Sequence, residues 1–161
     1  MKPKLTVTAD FTDQFNELVK QFRRDAVLVG IPQGSVRKDD EINNATLLAI
    51  NEFGSPMNNI PPRPVMSIGI RKAQDEIAEQ FRTAVKDVLK KGGAAIRTYY
   101  ERAGIVAANS IKKVINAQDG IKPPAASTLS SRKSKGFAGT KSLIVTGQMR
   151  NAITYVVKEG P

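Results

Sequence analysis

The sequence predicts an α+β domain, with a small mixed or antiparallel sheet packed by an N-terminal helix and by long helices from the middle of the chain. Three observations carry that expectation. Short β-branched, apolar runs stand far apart in the chain, at residues 26–30 (AVLVG) and 153–157 (ITYVV). Between them apolar residues recur at threes and fours, the period of helices with one buried face. The 161 residues suffice for one domain that buries roughly 68 to 70% of the surface its unfolded form exposes. Faces this apolar must find one another, since each Å² left wet forgoes roughly 25 cal/mol.

Taken in order, residues 4–8 (KLTVT) alternate as a short strand, which is expected to share the sheet with 26–30 and 153–157. Asp10, with Asp13 three residues on, reads as a helix cap. The helix from Asp10 to about Arg23 carries Phe11, Phe15, Leu18, Val19 and Phe22 on one stripe, expected to be core. Residues 26–30 then read as a central strand. Residues 31–40 (IPQGSVRKDD) have the Pro, Gly and charge of an exposed loop. Gly34 and Ser35 lack the surroundings of a phosphate-binding loop. Residues 44–53 (NATLLAINEF) form a short amphipathic helix, stopped by Gly54 as a left-handed cap and by Pro56.

The next stretch, residues 54–64 (GSPMNNIPPRP), holds four of the nine prolines. It can be neither a helix interior nor a central strand. Its fixed φ angles make it a stiff corner that loses little entropy on docking. Ala73, Ile77, Phe81, Ala84, Val85, Val88 and Leu89 then mark a long helix, ended by Gly92 and Gly93. A second runs from about Ala94 to Ala117 with Gly104 inside it, either a place of close helix contact or simply tolerated. The Gly-Gly junction makes the two an antiparallel pair or a hinge. Residues 119–141 (DGIKPPAASTLSSRKSKGFAGTK) hold five basic residues and one acid, few apolar anchors and many Ser, Thr and Gly. They read as a long basic loop, mobile in the free subunit. Thr146 is placed to cap a short helix over residues 147–152, ahead of the last strand.

Composition narrows the chemistry. With no Cys and no His, thiol nucleophiles, zinc sites, Ser-His-Asp triads and haem ligation by either residue are excluded. Carboxylate-held magnesium or calcium stays open. Asp39, Asp40 and Glu41 lie in a polar loop, and Asp75, Glu76 and Glu79 on the polar face of a long helix. None has the enclosed setting that acid or base catalysis needs, so neither an enzyme, a cofactor nor a small-molecule substrate is expected. No apolar run reaches the 18 residues of a membrane span, and the first residues lack a signal core.

Charge is distributed unevenly. Residues 1–80 carry 10 basic and 11 acidic side chains, residues 81–161 carry 15 and 4. A basic half attracts a polyanion, either nucleic acid phosphate or an acidic protein surface. Arg132, Lys133, Lys135 and Lys141, with Lys112 and Lys113 before them, are placed to neutralise phosphates. No helix-turn-helix spacing, zinc finger or aromatic strand pair accompanies them, which leaves non-specific nucleic-acid binding as the alternative function.

Two stretches carry a family likeness. Glu52, Phe53, Gly54 and Ser55 lead to residues 60–66 (IPPRPVM). After a long helical middle, Thr146, Gly147, Gln148, Met149 and Arg150 lead into residues 153–157. In this order, across about residues 27 to 158, the chain resembles the tail-completion and neck proteins of tailed bacteriophages, a group that includes minor tail and virion morphogenesis proteins. It departs from that pattern at Val145, where the family usually has Asp before Thr-Gly, and at Val65, where an aromatic often follows Arg-Pro.

The resemblance implies a structural part that completes the head-proximal end of a tail for head-tail joining, with no catalytic residue to carry over. It implies a ring of copies of this chain, contacts with the tail tube or tail terminator and with head-completion proteins, and a place in the virion after assembly in the host cytoplasm. Contact with phage DNA is secondary and non-specific on this reading, and no membrane is involved. Joined to the stiffness of the corner and the charge of the loop, it points to Phe53, Gly54, Pro61, Pro62, Arg63 and Pro64, with Arg132, Lys133, Lys135 and Lys141, as assembly or partner contacts. Thr146 and Gly147 are expected to form a structural turn.

Overall fold

The computed structural model describes residues 12–33, 42–91 and 96–159. Among these, helix α1 (Thr12–Arg24) runs directly into strand β1 (Asp25–Gly30). Helix α2 (Asn44–Phe53) and a 3₁₀ turn (Pro56–Asn58) lead to two long helices, α3 (Val65–Lys91) and α4 (Ile96–Ala117). Two shorter helices, α5 (Ala126–Ser134) and α6 (Gln148–Ala152), precede strand β2 (Thr154–Glu159). The fold is α+β, as the periodicities predict.

The two strands pair antiparallel, with Val27 opposite Val157 and Leu28 opposite Val156. A strand alternates its side chains between two faces. Val27, Val29, Tyr155 and Val157 are therefore half-buried over α4, while Leu28 and Val156 remain 55% and 53% exposed on the other face. Among the described residues, 26–30 thus form a strand covered on one face and paired with β2 alone. The expected strand at 4–8 lies outside the described residues.

Helices α3 and α4 form the antiparallel pair that the Gly-Gly junction allows. Gly69 meets Ile111 near one end, and the Tyr99 hydroxyl donates to Asp87 at 2.6 Å near the other. Helix α3 starts at Val65 rather than Ala73, because Pro64 immediately before it is compatible with a helix start. The main core gathers Leu48, Val65, Ile111, Ile115, Met149 and Ile153, so α2, α3, α4, α6 and the lead into β2 share it. A second cluster of Val88, Ile96 and Tyr100 takes in Phe22, Phe81, Val27 and Val157 under the sheet.

Two other expectations are corrected. The α1 stripe is not all core: Phe22 packs on the second cluster, but Phe15 is 57% exposed beside a groove of about 370 Å³ lined by Val19, Val85 and Leu89. Nothing among the described residues covers that end of α1, and Phe11 lies outside them. The basic loop is not all loop, because α5 occupies residues 126–134 within it. Prolines 123 and 124 stand before this helix, Arg132 and Lys133 lie in its last turn where cations suit the helix dipole, and Gly136 at φ 79° follows it.

Candidate functional site

The stretches that carry the family likeness meet at one end of the molecule, where α6 packs on α2 and α2 on the start of α3. Helix α2 begins with the Asn43 side chain accepting from the Thr46 amide at 2.8 Å. It ends at Gly54, whose φ of 78° and ψ of 178° lie in a region open to glycine alone. The φ sign agrees with the expected left-handed cap, but the ψ sends the chain away extended. A Cβ there would stand 2.8 Å from the Ile60 carbonyl oxygen.

The corner beyond it is a small closed loop. Ser55 and Ile60 exchange two backbone hydrogen bonds of 2.9 and 3.0 Å around the 3₁₀ turn. Its tip carries Met57, 99% exposed, and Phe53 in the last turn of α2 is 81% exposed; Pro61 and Pro62 are exposed as well. Two large apolar side chains so exposed within five residues of chain are unusual enough to mark a contact surface.

Behind this surface Glu52 turns inward. Its Oε2 accepts from the Met66 amide at 2.8 Å, and its Oε1 accepts from the Ser67 amide at 3.0 Å and the Ser67 hydroxyl at 2.6 Å. The first turn of a helix has unpaired N–H groups and the positive end of the helix dipole. A buried carboxylate here therefore holds α3 to α2 and fixes the direction of the corner between them. The residue order Glu52 to Ser67 shows no capping-box spacing, which is why this role was not legible in the sequence.

The cations of the expected contact set divide into two kinds. Arg63 is spent on the fold: its Nε, Nη1 and Nη2 donate to the carbonyls of Lys122, Pro61 and Pro123 at 3.0, 3.4 and 3.1 Å, and its amide donates to Asn51 at 2.6 Å. Arg132 Nη1 donates to Lys141 at 2.7 Å, to Gly139 at 3.2 Å and to Ile144 at 3.5 Å, all carbonyls. Lys141 Nζ donates to the Asn116 carbonyl near the end of α4 at 2.8 Å. Lys133 and Lys135 are exposed, and their ammonium groups have no bonding partner among the described residues.

Two residues that sequence reasoning passed over complete this end. The Gln118 side chain donates to the Ser142 carbonyl at 3.0 Å and accepts from the Ser142 amide at 2.7 Å, and the Ser142 hydroxyl donates to Lys122 at 2.7 Å. Leu143, next to it, is held at φ 62°, a conformation that costs a side-chain-bearing residue roughly 1 to 2 kcal/mol. Thr146 is not the cap of α6 that its position suggested: Gly147, which has no side chain to cap with, stands in the cap position and the helix starts at Gln148. Gly147 adopts φ 78° ahead of α6, and the Thr146 hydroxyl accepts from the Gln148 amide at 3.4 Å.

Between α2, the Pro-rich corner, α5 and residues 142–149 lies a groove of about 250 Å³. Pro64 is half-buried at the corner's end, where it delivers the chain into α3. Among the described residues no group of three carboxylates gathers where it could hold a metal ion, and no helix is long and apolar enough to cross a membrane. No family model, curated protein or solved structure matches the chain.

Proposed function

We propose that the protein is a structural component of a bacteriophage or prophage tail or neck, and that it completes the head-proximal end of the tail for head-tail joining. One observation supports this reading most. The residues that carry the resemblance, separated by the two long helices, come together at the end of the molecule where α6 packs on α2, and the corner there exposes Phe53 and Met57 while Glu52 and Arg63 brace it from behind. A braced apolar tip suits docking to another protein, since little conformational entropy remains to be lost. Copies of the chain in a ring, the tail tube or terminator and the head-completion proteins are the partners this role calls for.

The competing reading is non-specific nucleic-acid binding. Lys133 and Lys135 keep it in view, but two of the four cations once available for phosphates are bonded to the chain's own carbonyls. Disrupting the gene in the phage or prophage that encodes it and imaging the lysate separates the two. The proposal expects filled heads and separate tails that join when purified protein is added. Normal virions in the disrupted strain would overturn it.

A further inference from the structure

The groove beside the corner has a chemistry of its own. Leu47, Leu143 and Met149 give it an apolar floor, Arg63 and Arg132 supply guanidinium groups, and no carboxylate lines it. Among the described residues, Glu52 is committed to the start of α3, and Asp119 is paired with Lys72. Arg132 uses only Nη1 on the fold, so the donors on Nε and Nη2 have no bonding partner among the described residues. Lys133 and Lys135, on and just beyond the same helix, add positive charge without a counter-ion.

We propose that this groove binds an acidic peptide segment of a partner protein, with an aliphatic side chain on the floor and a neighbouring carboxylate on Arg132. Guanidinium is suited to carboxylate, since its planar donors match the two oxygens. A nucleic acid is a poorer fit, because no aromatic ring lines the groove for a base to stack on and about half of its lining is aliphatic or proline. The inference rests on the assembly reading, which supplies a protein partner at this end of the molecule.

The test uses the whole chain and a fluorescein-labelled peptide of sequence Glu-Glu-Leu-Glu-Glu-Leu, with its Gln-for-Glu counterpart and a labelled DNA duplex as competitors. The acidic peptide should bind and shift the methyl resonances of Leu47 and Met149, and the Gln counterpart should bind at least fivefold more weakly. Arg132→Gln should lower affinity at least fivefold. Because that change also releases the turn at residues 139–144, Thr128→Glu serves as a second variant: Thr128 is exposed on the groove wall and makes no side-chain bond to the fold. It should weaken the acidic peptide at least fivefold more than the isosteric, uncharged Thr128→Gln does. Equal binding of the two peptides, shifts elsewhere than the groove, or binding of duplex alone would each overturn the proposal. Peptide binding together with normal virions after gene disruption would sink the assembly reading and leave the groove; blocked joining without peptide binding would do the reverse.

Discussion

Glu52 and Gly104 show how single residues hold the molecule in register. The Glu52 carboxylate serves two amides and a hydroxyl at once, and Glu52→Gln keeps the shape while replacing one acceptor oxygen with a donor. It should cost about 1 to 2 kcal/mol, lowering the thermal midpoint by about 2 to 8 °C for a chain of this size; an unchanged midpoint would remove the cap from the account. Gly104 lies against the Tyr155 ring, where a Cβ would sit 2.4 Å away, whereas nothing stands within 4 Å of one built on Gly30. Gly104→Ala should therefore destabilise by about 1 to 3 kcal/mol through overpacking, and Gly30→Ala should leave denaturant midpoints close to wild type. The sequence exposed Gly104 as a misfit in a helix; only the structure shows that its partner is a strand residue. Tyr100 is buried and donates to the Phe22 carbonyl at 2.8 Å, and burial, then the negative charge of Asp25, pushes its phenol above the usual value of 10.0. Below that value both folded and unfolded chains keep the proton. Above it the unfolded chain releases its proton first, so stability should fall as pH rises, and Tyr100→Phe should flatten that alkaline decline in melts between about pH 9 and 11.

At the scale of elements, helix α5 and the segments around it behave as a tied unit rather than a free basic tail. Arg63, Arg132 and Lys141 donate to backbone carbonyls, a use of charge that leaves no trace in composition. Lys133→Gln with Lys135→Gln should hence change stability by less than about 0.5 kcal/mol, while Arg132→Gln should cost about 1 to 2 kcal/mol and speed amide exchange at residues 139–144. Equal losses from both would show that charge, not these bonds, holds the segment. The helices at Asn44–Phe53 and Ile96–Ala117 were legible because each has a full apolar stripe and a stop signal. Helix α5 was not, since none of its residues is buried and Leu129 is its one half-buried aliphatic side chain. The early start of α3 was hidden for another reason: its first turn is held by Glu52, thirteen residues before Val65, a contact set by tertiary packing.

For the whole molecule, the sheet pairing of residues 26–30 with 153–157 was readable because β-branched runs at both ends of a chain have few other partners. The clustering of the corner, α5 and the α6 turn at one end was not, because the α3 and α4 pair returns the chain to its starting point and no local pattern records that distance. That clustering gives the molecule one end with an exposed Phe53 and Met57 and a groove lined by Arg63 and Arg132, and the proposed joining role rests on it. Gold-labelled antibody against the protein, applied to purified virions of the encoding phage and imaged by electron microscopy, tests that role most directly. The account predicts gold at the junction of head and tail, whereas virions free of the protein, or gold spread over capsids or at the distal tail tip, would contradict it.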